Sequence, residues 1–180
     1  MQIGTFYVDA ANDTVNPAKP RIEILPLKKS GMVPVSDFFH FSRIVGSYWD
    51  CDTYANTEFP GVAALFPIIC VNRVSAGISL GPGSDQMIAM TRLRNFQPSL
   101  DFLRSAPSPP ETVLHELARR RKASAHELMA VEGDPIMEVE RVIADARYNN
   151  ETYYASCVSA YREFAALSEN RVGTRPESSL

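Results

Sequence analysis

Glu132 to Phe164 reads EGDPIMEVERVIADARYNNETYYASCVSAYREF, and the fold expected of the chain turns on how that stretch is read. The apolar, β-branched run Ile136 to Ala144 is followed by Asn149 and Asn150, then by the aromatic, β-branched run Thr152 to Tyr161. Asparagine is the non-glycine residue that best tolerates the positive φ of a two-residue turn, so the pattern predicts an antiparallel hairpin. With the turn at the two asparagines, Arg141 faces Val158, Val139 faces Ala160 and Ile143 faces Ser156. That register puts Met137, Val139, Arg141 and Ile143 on one side and Glu138, Glu140, Val142 and Cys157 on the other.

Neither side is uniformly apolar. A guanidinium in an apolar row must be paired, reach the sheet edge or meet an anion, because an unpaired buried charge is very costly. Pairing with a neighbouring carboxylate is the plainer reading for Arg141, and a ligand anchor is the functional one. Glu138 and Glu140 divide in the same way between solvated carboxylates and an acid–base pair, with solvation the simpler choice.

Ala125-His126-Glu127-Leu128, followed by Glu132-Gly133-Asp134-Pro135 and the run to Val142, and closing on Tyr161-Arg162-Glu163-Phe164, resembles the C-terminal end of UTRA effector-binding domains. Those domains share the chorismate-lyase-like fold and sit behind a DNA-binding head in one branch of the GntR regulators. The resemblance spans residues 123–164. It implies a free-standing ligand-binding or lyase-like domain with a sheet-lined pocket for a small organic anion, since the chain shows no winged-helix pattern.

Outward from this stretch, Phe38, Phe41, Ile44 and Val45 lie at helical spacing behind a possible cap at Ser36, which predicts a helix over residues 36–48. His40 then shares a side with Arg43 and Ser47, opposite Phe38. Asp50 and Asp52 flank Cys51, a grouping able to hold a cation or serve as acid and base, although such carboxylates commonly just form a turn. Val62 to Val71 is almost wholly apolar, too short to cross a bilayer and broken by Pro67, so it belongs in the core.

Val74 to Leu80 is expected to pair with Gln86 to Leu93 across the loop Gly81 to Asp85, which lacks the lysine of a phosphate-binding P-loop. Arg92 and Arg94 would then project to one side and, with Arg141, form the most plausible grip on a carboxylate or phosphate. Tyr153 joins them as a ligand-binding candidate. Glu138, His40 and Asp50 are the candidate catalytic groups if the protein is an enzyme. A short helix is expected at 96–105 and one or two helices over 111–131, separated by the SAPSPP run Ser105 to Pro110. Short strands are expected at 3–8 and 21–27.

The 180 residues are 45% hydrophobic, enough for one core, with a net charge of −3 that gives no reason to expect nucleic acid. The opening residues carry neither the basic nor the apolar region of a signal sequence, so a cytoplasmic protein without a membrane partner is expected. Three scattered cysteines fit reduced thiols and show no metal spacing. The expectation is a single α+β domain over 1–168 with a disordered tail over 169–180. Its architecture would be a mainly antiparallel sheet of about five or six strands covered by helices, often homodimeric through an edge. Three functions stay open, none calling for a cofactor: an anion-binding domain of chorismate-lyase-like type, a small cofactor-independent lyase, isomerase or cyclase with a sheet-lined pocket, and an interaction or structural protein.

Overall fold

The computed structural model describes residues 2–3, 6–9, 22–31, 33 and 35–169. The chain falls into two compact units, Met1–Pro34 and Val35–Leu180. In the first, β1 (Gln2–Ile3), β2 (Phe6–Asp9) and β3 (Glu23–Pro26) form an antiparallel sheet in that order. The expected polar connection over 10–20 and most of the expected tail, 170–180, lie outside the described residues.

The second unit is α+β, with one small sheet and most of its residues helical. Helix α1 (Phe38–Tyr48) is capped one residue later than expected: the Asp37 carboxylate accepts the backbone N–H of His40 at 2.7 Å. Strands β4 (Cys51–Ala55), β5 (Ile68–Asn72) and β6 (Ile78–Gly81) follow as an antiparallel sheet of order β4-β5-β6. Tyr54 faces Ile69, which faces Leu80, and Thr53 faces Cys70, which faces Ser79. Alternation therefore sends Ile69, Ile78 and Leu80 into the main core, while Ile68 and Cys70 meet Phe38, Val45, Met87 and Phe102 beneath α1. Both faces are covered.

The remaining elements are helical: α2 (Asp85–Leu93), α3 (Gln97–Ser105), α4 (Glu111–Ala123), α5 (Pro135–Ala144) and α6 (Glu151–Glu169). Two expected hairpins are corrected by this. Residues 136–161 form α5, a turn and α6 instead of two strands, and the chain after Gly81 enters α2 instead of pairing back. The expected sheet of five or six strands is accordingly replaced by two of three strands each.

Local chemistry explains the first of these corrections. Asp134 caps α5 by accepting Ile136 N–H at 2.8 Å, and Pro135 supplies a first-turn φ. Asn150 caps α6 instead of turning a hairpin: it is extended at φ −96°, and its Oδ1 accepts Tyr153 N–H at 3.0 Å. Tyr153, Cys157, Ala160 and Phe164 are buried at intervals of four, three and four, a helical stripe running through the supposed strand.

At the centre lies the turn Phe59 to Phe66, every residue of it buried. Some of its backbone groups bond within the turn, as Phe66 N–H does to Val62 O at 2.9 Å, and others need partners from outside it. The Asn56 side chain spans the turn, donating to Phe66 O at 2.8 Å and accepting from Phe59 N at 3.0 Å. Ser99 Oγ donates to Ala64 O at 2.6 Å and Tyr153 Oη to Gly61 O at 3.3 Å. Helices α3 and α6 are thus bonded to the same turn.

Arg120 of α4 is 5% exposed, donates to Glu116 at 3.0 Å and Ile78 O at 2.9 Å, and stacks 4.9 Å over the Phe164 ring. Hydrogen bonds from Arg119 first, then Arg120, hold the Glu116 carboxyl down to about 2. Glu163 is also held low, chiefly by the Ser124 hydroxyl. A depressed carboxyl stabilises the fold above its unfolded pKa and loses that contribution as pH falls towards the folded value. Urea midpoints are expected to drop between pH 4.5 and 2, and to drop less steeply in Glu116→Gln, where only the Glu163 part remains. Equal slopes for the two proteins would contradict this.

Candidate functional site

The sequence-selected residues are scattered and mostly engaged. Arg141 and Glu138 are brought together, but by one helical turn of α5: Arg141 Nε donates to Glu138 at 2.9 Å and Nη1 to Asp145 at 3.2 Å. This is the plainer of the two readings, an ion pair on the surface. Arg92, on α2, donates to Tyr148 O at 3.1 Å, pairs with Glu151 and lies 4.8 Å over the Tyr154 ring. Arg94 donates instead to Ser36 O at 3.0 Å. Each arginine is held by different groups.

Tyr153 is buried, and burial raises its hydroxyl well above the ordinary tyrosine value. It acts as a strut to Gly61 O. His40 sits half-buried in the first turn of α1, and Asp50 is exposed at φ 50° with its carbonyl accepting Arg73 N–H at 2.7 Å. Burial pushes the Cys70 and Cys157 thiols up to about 12, which leaves both protonated at neutral pH.

A concave surface with several polar side chains lies elsewhere, between α1 and the outer edge of β4. It is an open groove of about 660 Å³. Helix α1 contributes Ser42, Arg43, Gly46 and Ser47, and β4 contributes Cys51 to Tyr54, with Arg73 and Pro107 completing the wall. The helical spacing that buries Phe38 and Val45 turns positions 43 and 47 away from the core, which leaves a cation and a hydroxyl there, while Ser42 stays on the buried side. Arg73 reaches in from the end of β5, donating to Asp52 at 2.9 Å and to Gly46 O at 3.3 Å. Among the described residues no carboxylate pairs with Arg43. Ser42 Oγ is enclosed and has no hydrogen-bond partner there.

No family model, curated protein or solved structure matches this chain. The groove must therefore be read from its own chemistry. Among the described residues no cluster of three or more His, Cys, Asp or Glu side chains is arranged to hold a metal, and no helix is long and apolar enough to cross a membrane.

Sequence reading placed His40, Arg43 and Ser47 on one side of a helix and noted Asp50 and Asp52 around Cys51. Only Arg43, Ser47, Cys51 and Asp52 reach the groove. Arg73 was missed. It follows β5 directly in a turn, and the contact that brings it to Gly46 depends on how the helix crosses the sheet.

Proposed function

We propose that the protein binds a small organic anion in the groove between α1 and β4. The observation carrying this reading is the company that Arg43 keeps: a guanidinium without a carboxylate among the described residues, beside a second guanidinium and the hydroxyls of Ser47 and Thr53. Guanidinium groups match carboxylate and phosphate oxygens in bidentate geometry, and hydroxyls supply the further donors such an anion needs. Arg73 brings Asp52 with it, so the groove is cationic by one charge rather than two. The groove's side chains support this reading independently of the UTRA-like pattern at 123–164.

Titration with acetate and with phosphate, followed by thermal unfolding, tests it. A ligand that binds only the native state at ten times its Kd raises stability by about 1.4 kcal/mol. Excluded anions stabilise any fold, so the readout is the difference between proteins. The shift is expected to shrink in Arg43→Ala and to persist in Arg141→Ala. Identical shifts in all three proteins would remove the groove from consideration.

A second reading, an interaction protein, is favoured by one feature. Tyr48 and Trp49 are 78% and 57% exposed at the end of α1, and Val74 is 85% exposed in the turn after β5. Asn72 Nδ2 donates to Trp49 O at 2.9 Å, which holds the two apolar tips at the same end of the sheet.

A further inference from the structure

Resting on the groove reading above, we propose that its ligand is the free C-terminal end of an extended peptide, added as a short strand to β4 and held by its carboxylate. Strand β4 is terminal in its sheet. The bonds Arg73 N to Asp50 O, 2.7 Å, and Asn56 N to Pro67 O, 2.8 Å, flank its ladder with β5. They fix Asp50, Asp52, Tyr54 and Asn56 as the residues whose backbone groups turn towards β5, because antiparallel ladders alternate. Cys51, Thr53 and Ala55 turn outward. Ala55 bears this out by donating its N–H to Pro107 O at 2.8 Å.

Cys51 O receives the Arg73 guanidinium at 3.5 Å. Thr53 N–H and C=O have no partner among the described residues, and Thr53 lines the groove. An outward-turned pair of this kind is a template for one more strand.

The slot is too short for a chain to run through. Pro107 already occupies the ladder beside Ala55. At the other end α1 meets β4, where even a Cβ on Gly46 would lie 3.5 Å from Cys51 O. A peptide entering beside Thr53 must therefore stop within about one ladder pair. Arg43, Arg73 and Ser47 line the same groove, and their net positive charge suits a chain's terminal carboxylate. Strand addition supplies the backbone bonds and the guanidinium groups select an end over a middle.

The test uses the full chain, labelled with nitrogen-15, and four probes: acetate, acetyl-GTVTV with a free carboxylate, its C-terminal amide, and the free acid N-methylated at its last peptide bond. The free acid is expected to shift the Thr53 amide resonance and to bind at least tenfold more tightly than the amide or the N-methylated peptide. Arg43→Ala is expected to weaken the free acid about tenfold and leave the amide unchanged. If acetate shifts the groove resonances but the peptides bind no better than acetate, the peptide proposal falls and the anion reading stands. If neither acetate nor any peptide moves these resonances, both fall. Shifts confined to Trp49 and Val74 would overturn the proposal in favour of the apolar end of the sheet.

Discussion

Gly61→Ala is expected to be severely destabilising, at a cost of about 3 kcal/mol or more. A Cβ on Gly61 would lie 2.4 Å from Leu128 O and 2.9 Å from Val131 Cγ2. The first of these is backbone, so no rotamer change removes the clash. Nor is that backbone free to retreat. Leu128 lies in a short 3-10 turn, Glu127–Met129, whose Leu128 N–H donates to His126 Nδ1 at 3.2 Å and whose Met129 is fully buried. On the other side the Gly61 carbonyl is tied to Tyr153. Overpacking a core costs about 1–3 kcal/mol and sometimes more, and a Cβ pressed onto fixed backbone belongs at the upper end. That is a large part of the roughly 5–15 kcal/mol by which domains are stable. Urea unfolding followed by circular dichroism measures it, with Gly77→Ala as the comparison. There the nearest neighbour is the exposed Ser75 Oγ at 3.1 Å, which can rotate away, and the loss should stay below about 1 kcal/mol. Equal midpoints for the two variants would mean that the central turn does not approach the 127–131 segment this closely.

The same turn shows what the sequence made legible. Its apolar run, Val62 to Val71, could be placed in the core from hydrophobicity alone, and the helix over 38–48 followed from the spacing of Phe38, Phe41 and Val45. The α+β class was also accessible. What misled was the weight given to β-branched residues in 136–161, where burial at positions 153, 157, 160 and 164 follows a helical period. Two caps, Asp134 with Pro135 and Asn150, were visible in the sequence and marked helix starts. Asparagine serves both a left-handed turn and a helix cap, and only the periodicity on either side separates the two. Likewise Gln86 to Leu93 offered no clean alternation, which is itself a sign against a half-buried strand. The groove was less legible. Arg43 and Ser47 could be assigned to one helix face, but that this face borders the free edge of β4, and that Arg73 crosses to it, follows from tertiary packing that no local pattern encodes.

Asn56→Ala is expected to be the other severely destabilising change, and for the opposite reason: it removes atoms rather than adding them. Asn56 is fully buried where β4 runs into the central turn. Truncation strands Phe59 N–H and Phe66 C=O, now bonded at 3.0 and 2.8 Å, in an apolar interior. A buried unsatisfied group costs about 1–3 kcal/mol, so the pair accounts for several. Asn56→Asp makes the argument sharper. The introduced carboxyl keeps the acceptor for Phe59 N–H but meets the Phe66 carbonyl with an oxygen that must carry a proton to donate. Burial and this bond favour the neutral form, which raises the folded pKa above the unfolded one. The sign is then fixed: the variant's stability relative to the wild type is greatest below the unfolded carboxyl pKa and declines as pH rises through the folded value. Chemical denaturation of both proteins at pH 4 and pH 7 reads this difference directly, and comparison with the wild type cancels the acid sensitivity of Glu116 and Glu163. A deficit that is the same at both values would show that the Phe66 carbonyl does not need this donor. A deficit that widens at pH 7 would establish that one side chain closes the turn on which β4, and with it the wall of the groove, is set.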